Sequence, residues 1–353
     1  MSQILAGPRG RRLCLELALA MADDDGGGSA LRSAVFDASH HLDPGGSRAL
    51  FGWSVPDPLP QPAPADVARL VDALPLGEPD ERAVLHALAA AVDSARYWQE
   101  PDGEDVLAGT PEVSAALERV AAHVLASAAA SWWAASLRHD DQWVVTFDTG
   151  AQRSGGTAAE VLGRWVERTR EDEAAARRDT PRDPRAPYSG TWWSRPLGLA
   201  QTTGSVGTAG PAGLWLVEDA FGWERAVVRR VAVPTDARVH EIDGLDAWIE
   251  LCRRHPLDVT ASRRHDWFRT TGQDHEWVVP DWSRVAEDVD AVHLTLAGYL
   301  AAAGRAGHLG DGRWTVLAGW DPDATVWLTD LPGSGGREET WLRDHDGDWS
   351  AAS

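Results

Sequence analysis

Lysine and asparagine are absent from this 353-residue chain, and cysteine occurs only twice. The 33 basic residues are therefore all arginines, and 54 acidic residues outnumber them to give a formal net charge of -21. Two cysteines are too few for a disulfide framework or a cysteine-ligated zinc site. The acidic balance disfavours a nucleic-acid partner, because nucleic-acid binding rests on an excess of Lys and Arg.

The commonest catalytic signatures are missing as well. The chain has no Walker-type phosphate loop, no Gly-x-Gly-x-x-Gly after a strand, no His-Glu-x-x-His and no Gly-x-Ser-x-Gly, so nothing points to the usual NTPase, dehydrogenase, zinc-protease or serine-hydrolase sites. No apolar run approaches the length of a membrane span, so no membrane partner is expected. Glu16 interrupts the apolar run at 13–22, which predicts an amphipathic helix of a cytoplasmic protein and not a secretory leader.

Tryptophan is the residue in excess, with 19 Trp against 3 Tyr and 5 Phe. Most of these indoles are expected to fill the core with their N–H groups paired, although an indole can also stack on a base or a sugar. A hydrophobic fraction of 43% is enough for ordinary buried cores, and the length allows two domains.

Hydrophobic spacing divides the chain into four parts. Val84, Leu85 and Leu88 recur on one face of a helix, and Thr110-Pro111 is typical of a helix start. The predicted parts are a helical N-terminal domain at 1–128, a connecting region of strand and charged helix at 129–179, an α+β C-terminal domain at 180–331, and a flexible tail at 332–353.

The connecting region contains a predicted strand at 142–147 and a predicted helix at 156–179, which proline and charge break at 180–187. Further strands are expected at 257–267, 277–282, 290–295, 315–321 and 324–328. Strands and short helices alternate there without the steady rhythm of a doubly wound sheet. The fold class is therefore predicted to be α+β.

The stretch at 210–248 organises the C-terminal part. It predicts a strand at 213–217, a short helix carrying Trp223, Ala226, Val227 and Val231, a strand at 237–242, and a helix bearing Trp248. This order of a glycine-led aromatic strand, a helix, an Arg-Val-x-x-Ile strand and a Trp-bearing helix resembles the middle of ADP-ribosyltransferase-like domains. The resemblance implies an intracellular transferase or NAD glycohydrolase that uses NAD as its substrate and acts on an unknown protein or small-molecule target.

The resemblance also implies a set of site residues. It places Arg195, with Ser194, at the first strand, where this group holds the dinucleotide, and Trp215 where an aromatic ring stacks on nicotinamide. Thr202 and Thr203 lie nearby in the sequence and could bond ribose. A carboxylate stabilises the charge that develops as nicotinamide leaves. The family's final strand supplies a Glu, whereas this chain offers Asp321 and Asp323, so Arg195 and Asp321 are the predicted catalytic pair.

Two further positions complete the predicted NAD site. Arg263 and Arg264, in Ser262-Arg263-Arg264-His265-Asp266, form a candidate arginine site for phosphate, and His293 could face a pocket opposite them. Each candidate also has a structural interpretation: a solvated turn for the arginine pair, a core histidine for His293, a core indole for Trp215 and an interface ion pair for Arg195.

Two functions remain open at this point. One is the NAD-consuming transferase, and the other is a non-enzymatic acidic scaffold that binds another protein. The transferase requires Arg195, Trp215 and an acid from 319–323 to converge on one concave pocket. No metal is predicted, because the calcium-loop-like start at 344–348 lacks its distal Glu.

Overall fold

A computed structural model of the protein describes residues 3–22, 26–45, 61–148, 155–331 and 336–352. These residues form eleven α-helices, twelve β-strands and several short 3-10 turns. The strands assemble into two mixed sheets. The predicted α+β class is confirmed.

Six α-helices make up the N-terminal part. They are α1 (Pro8–Met21), α2 (Gly26–Leu42), α3 (Pro64–Ala73), α4 (Glu81–Asp93), α5 (Gly103–Ala108) and α6 (Pro111–Leu125). Proline lies in the first turn of α1, α3 and α6, where a missing N–H leaves no helical hydrogen bond unmade. Because α1 contacts α4, α5 and α6, it lies at the centre of this helical layer.

Strands and helices alternate in the rest of the chain. The strands are β1 (Gln142–Phe147), β2 (Ala200–Thr203), β3 (Arg225–Val231), β4 (Val239–Ile242), β5 (Pro256–Asp258), β6 (Glu276–Pro280), β7 (Ala291–Leu294), β8 (Ala306–His308), β9 (Arg313–Val316), β10 (Ala324–Trp327), β11 (Glu338–Arg343) and β12 (Trp349–Ala351). The helices are α7 (Ala158–Asp179), α8 (Leu245–Arg254), α9 (Thr260–Thr271), α10 (Trp282–Asp288) and α11 (Leu296–Ala302).

The larger sheet has eight strands in the order β12-β11-β3-β1-β2-β10-β7-β4, and the smaller has four in the order β5-β6-β9-β8. Neighbouring strands are antiparallel except for the parallel pairs β4–β7 and β6–β9. Buried side chains of the helical layer, such as Leu13 and Val120, belong to the same apolar cluster as Val228 and Val292 of the larger sheet. One continuous core therefore joins the predicted N- and C-terminal parts.

Several predicted elements are confirmed at or near their bounds. They are the strand at 142–147 (β1), the charged helix at 156–179 (α7), the helix start at Thr110-Pro111 (α6) and the strand at 290–295 (β7). The helix α7 begins with a capping box, in which Thr157 and Glu160 each bond the other's backbone N–H.

The helix predicted around Trp223 to Val231 is wrong, because this segment is strand β3. Ala226 and Val228 alternate toward the core, and β3 is hydrogen-bonded on one edge to β1 and on the other to β11. The run Ala-Val-Val-Arg-Arg-Val fits either period, and the two neighbouring strands decide the outcome. The strand predicted at 213–217 is also wrong, since Ala212–Leu214 is a 3-10 turn.

The strand predicted across 257–267 is wrong over most of its length. Only Pro256–Asp258 is strand, and α9 follows it. Glu173 on α7 accepts hydrogen bonds from the backbone N–H groups of Ala261 (3.0 Å) and Ser262 (2.8 Å), so a distant side chain satisfies the free amides at the start of α9. Arg263 and Arg264 are consequently helical.

The prediction of a flexible tail is wrong for residues 336–352, and 332–335 and 353 lie outside the described residues. Glu338–Arg343 pairs with β3, and Trp349–Ala351 pairs with Glu338–Arg343 in turn. Glu339 lies opposite Val228 in this register. The segment supplies the last two strands at one edge of the larger sheet.

Candidate functional site

A cavity of about 240 Å³ lies between α7, α9 and the segment that follows Thr191. Four arginines and two tryptophans dominate its walls, and Asp172 is its one acidic residue. We call it the arginine cavity and define it by Arg164, Trp165, Arg168, Trp193, Arg195 and Arg263.

Helix geometry explains how α7 contributes its part. Arg164 and Arg168 are four residues apart, so both lie on one face of α7, and Trp165 adjoins them. Both arginines are exposed at the mouth of the cavity, while Trp165 is half-buried. Neither arginine forms an ion pair with any described residue, although Arg164 donates to the Gly155 carbonyl at 2.8 Å.

Arg263 is the deepest group of the cavity, with 2% of its surface exposed. Its one side-chain hydrogen bond runs to Ser262 Oγ at 3.4 Å, its Nε has no partner, and it forms no ion pair with a described carboxylate. Burial lowers the pKa of Arg263 to about 10, against the weaker opposing field of Asp172 and other acids. The nearby Glu173 is occupied by the start of α9 and by Arg177. Arg263 is therefore a buried cation that forms no direct ion pair with a described residue, and only the field of Asp172, Asp266 and Glu173 acts on its charge.

Arg195 is held by the loop that precedes Asp321. Its Nε donates to the Gly319 carbonyl, and its Nη1 donates to Gln201 Oε1 at 3.1 Å. Gly319 has a φ of +71°, and a Cβ there would lie 2.5 Å from Trp193 Cδ1, so only glycine fits. Arg195 also lines the arginine cavity.

The predicted catalytic partners, Arg195 and Asp321, are joined through a third residue. Gln201 donates from Nε2 to Asp321 Oδ2 at 3.4 Å, while its carbonyl oxygen accepts from Arg195. Asp321 Oδ1 accepts from the backbone N–H of Glu218 at 3.0 Å. Asp321 does not line the arginine cavity, so in this arrangement it positions Gln201.

Glu218 is a polar group of this region that sequence reasoning did not single out. Its Oε1 accepts from Tyr97 Oη at 2.9 Å, and its Oε2 is buried without a partner. Burial and then repulsion from Asp321 raise the pKa of Glu218 to about 8, although the Tyr97 hydrogen bond opposes the shift. Its position beside the Trp215-Leu216-Val217 run was the available signal.

The other predicted residues near the first strand lie in packing networks. Ser194 Oγ bonds both the carbonyl and the N–H of Ala318. Thr202 Oγ1 accepts from Trp327 Nε1 at 2.9 Å, and Thr203 Oγ1 donates to Asp323 Oδ2 at 3.0 Å. None of the three lines the arginine cavity.

Trp215, Arg264 and His293 also lie outside the arginine cavity. Trp215 lines a separate cavity of about 610 Å³. Arg264, next to Arg263 on α9, faces Asp274 with its Nε 3.8 Å from the carboxylate. The structure therefore brings Arg195 and Arg263 together and leaves Trp215 apart from them.

His293 lies between two carboxylates, with Nδ1 2.6 Å from Glu241 Oε2 and Nε2 3.6 Å from Asp323 Oδ1. Burial lowers the pKa of His293, but the bonds to Asp323 and Glu241 outweigh it and raise the pKa to about 9. Asp323 has a φ of 56°, which is uncommon for a residue other than glycine. This trio is a buried charge network of the larger sheet.

No protein-family model, no curated protein and no solved structure matches this chain. No helix among the described residues is long and apolar enough to cross a bilayer. Asp344, His345 and Asp346 could together face a cation, but all three are exposed. Asp344 already accepts the backbone N–H groups of Asp346 and Asp348, so this group is explained as a turn.

Proposed function

We propose that this protein binds the phosphate groups of a nucleotide in the arginine cavity, and that NAD is the first nucleotide to test. One observation carries the proposal: Arg263 is buried in the cavity wall and forms no ion pair with any carboxylate of the described residues. An unpaired buried charge destabilises the fold unless something compensates it. A bound phosphate supplies the missing counterion and the missing hydrogen-bond acceptors.

The charge around Arg263 supports an anionic ligand. Arg164, Arg168 and Arg195 line the same cavity without ion pairs to described residues, and Asp172 is the one acid among the lining residues. The cavity is thus positive in a chain whose net charge is -21. Guanidinium groups bind phosphate through paired N–H donors, which gives both affinity and orientation.

The tryptophans of the cavity favour a nucleotide over a bare phosphate ion. Trp165 and Trp193 are half-buried in its walls, and Trp193 stacks on Trp192 with ring centroids 4.9 Å apart. Flat indoles offer stacking surfaces to a base or to nicotinamide. At about 240 Å³ the cavity is smaller than most whole-ligand pockets, so it suits one end of a dinucleotide.

The proposed chemistry is an NAD-consuming transfer or glycohydrolase reaction. It rests on the two hydrogen bonds that connect Arg195 to Gln201 and Gln201 to Asp321. Arg195 would contact the phosphates or ribose directly, and Asp321 would act by orienting Gln201. The stacking role assigned to Trp215 passes to Trp165 or Trp193, since these are the indoles in the arginine cavity. The rival is the acidic scaffold, which requires no nucleotide.

Calorimetric titration of the purified chain with ADP-ribose, NAD and pyrophosphate tests the binding step. Arg263→Gln should weaken binding by about thirtyfold, because a charge-assisted hydrogen bond to the ligand is lost. Arg264→Gln is the matched control, since this neighbour on α9 faces Asp274 outside the cavity, and it should change affinity by less than about twofold. Equal effects of the two variants, or no binding of any of the three ligands, would refute the proposal.

Nicotinamide release from NAD tests the reaction separately. Release that falls on Arg195→Ala and on Asp321→Asn supports the transferase or glycohydrolase. If the protein binds NAD but releases no nicotinamide, either alone or with clarified lysate of the host, that result supports nucleotide binding and rejects the reaction. If the protein neither binds NAD nor releases nicotinamide, the scaffold function is favoured.

A further inference from the structure

A second cavity, of about 610 Å³, separates the helical layer from the larger sheet. Its walls come from α4, the turn after α6, the loop at 205–209 and the start of β12. Three indoles line it, those of Trp132, Trp215 and Trp349. We call it the tryptophan cleft, and its volume is in the range of sites that enclose a small molecule.

The arginines of the tryptophan cleft are neutralised by their own carboxylates. Arg82 is ion-paired with Asp348, and its Nε lies 3.1 Å from Asp348 Oδ1. Arg138 is ion-paired with Asp141 at 2.7 Å and also donates to the Ser205 carbonyl. Neither cation is free to recruit an anion, in contrast to Arg263.

The acids of the tryptophan cleft are in surplus. Its lining includes Asp80, Glu81 and Asp348 against two arginines. Asp80 caps α4 by accepting from the Ala83 N–H, whereas Glu81 is exposed and forms no ion pair with any described residue. The lining of the tryptophan cleft therefore includes one exposed carboxylate, that of Glu81, which no described cation neutralises.

The indoles are fixed by their surroundings. Trp215 donates its N–H to the Ala209 carbonyl at 3.0 Å, and His86 packs edge-on against it at 87° and 5.5 Å. Trp349 packs against Phe147 with centroids 5.9 Å apart. Trp215 and Trp349 are thus held in the lining, and Trp132 is half-buried there. An aromatic lining attracts organic cations, since the face of an aromatic ring is electronegative.

We propose that the tryptophan cleft binds a small organic cation, with its charge against an indole face and balanced by Glu81. The ligand class is alkylated ammonium or a group of similar shape and charge. The inference is independent of nucleotide binding, because no residue lines both cavities.

Choline and its neutral isostere 3,3-dimethylbutan-1-ol are the matched probes, because they share a shape and differ in charge. Calorimetric titration of the full chain should show choline binding about tenfold more tightly than the alcohol. If the alcohol binds as tightly as choline, the cleft is merely apolar and the proposal fails. Failure of choline to bind at about 10 mM also overturns it.

Two variants tie the effect to the cleft. Glu81→Gln, on the surface, should weaken choline about threefold and leave the alcohol unchanged, as expected for an exposed charge. Trp132→Leu should reduce the preference for choline over the alcohol about fivefold, and circular dichroism checks that the variant is folded. Arg263→Gln is the control that should leave choline binding intact. A preference for choline that survives both cleft variants would place the cation elsewhere and refute the assignment.

Discussion

Arg9 and Arg263 are equally buried but differ in what surrounds the charge. Arg9, 4% exposed, pairs with Asp105 and donates to the Ala91 carbonyl and to Ser94 Oγ. Arg263, 2% exposed, has no carboxylate partner among the described residues. Burial lowers the pKa of Arg9 as well, but Asp105 outweighs it and the pKa rises above the ordinary value. Arg9 thus has its charge paired within the fold, whereas Arg263 has no direct ion pair, and this difference is the basis of the proposed phosphate site.

The largest effect is expected at the paired arginine. Arg9→Met leaves Asp105 buried without its counterion, and the free energy of unfolding should fall by about 3 kcal/mol. This value is at the low end for breaking a buried ion pair, because Arg12 lies 3.6 Å from the other Asp105 oxygen and still neutralises part of its charge. Denaturant unfolding measures it, and Arg9→Met with Asp105→Leu should recover part of the loss. A loss below about 1 kcal/mol would contradict the structural role of the pair.

The same contrast extends to Glu218, an acid with one buried, unpaired oxygen. The pKa of Glu218 is raised to about 8, so its ionised form destabilises the fold. Its contribution to the free energy of unfolding should decline as pH rises from about 4.5 to about 8, because the folded state holds the proton that the unfolded state releases. Glu218→Gln should flatten this decline and gain about 2 kcal/mol at pH 8, less than the full linkage because the residue is half-buried.

His293→Gln tests a second contribution to the pH dependence of stability, that of His293. The pKa of His293 is raised to about 9, so its contribution is complete below about pH 6.5 and is lost as pH rises through 9. The variant should therefore lose stability at pH 6 and little at pH 10, opposite to Glu218→Gln. A decline with pH that is unchanged in both variants would show that other groups cause it.

A smaller gain is expected at the unpaired arginine. Arg263→Met removes a buried charge that no described acid pairs with directly, so the ligand-free protein should become more stable by about 1 kcal/mol. Thermal unfolding without ligand measures it, and Arg264→Met serves as the neighbouring control. A clear loss of stability would mean that Arg263 has a structural counterion.

The smallest effect belongs to an exposed pair. Arg69 and Asp66 are 75% and 43% exposed and pair across three residues of α3. Arg69→Ala should change the free energy of unfolding by less than about 0.5 kcal/mol, since water screens the pair. A larger change would show that pairing alone, and not burial with pairing, sets the value of an arginine here.

The fold was predictable where one period of hydrophobic residues dominated. The buried face of α6, the aromatic and β-branched run of β1 and the charged outer face of α7 all follow from the sequence. The failures have a physical cause, since Ala226 to Val231 fits either period and its neighbours β1 and β11 lie far along the chain. The start of α9 likewise depends on Glu173, a residue of another helix.

The candidate site was predictable only in part. Arg195 and Arg263 were expected to face phosphate, and the structure places them on one cavity. That Arg263 has no direct ion pair among the described residues is a property of the assembled chain, because Asp266, three residues away, pairs with Arg269 instead. The roles of Ser194 and Trp215 depended on the family resemblance, and those of Thr202 and Thr203 on proximity along the chain. The fold places all four outside the arginine cavity.

The pairing of β3 with β11 has a kinetic consequence. In this register Arg229 lies opposite Glu338, so one contact of the larger sheet closes a loop of more than a hundred residues. Chains rich in such distant contacts fold slowly, because the entropy of closing the loop is lost before the contact rewards it. We expect the helices of the N-terminal layer to form first, and the late pairing of β11 and β12 to bring Trp349 to the wall of the tryptophan cleft.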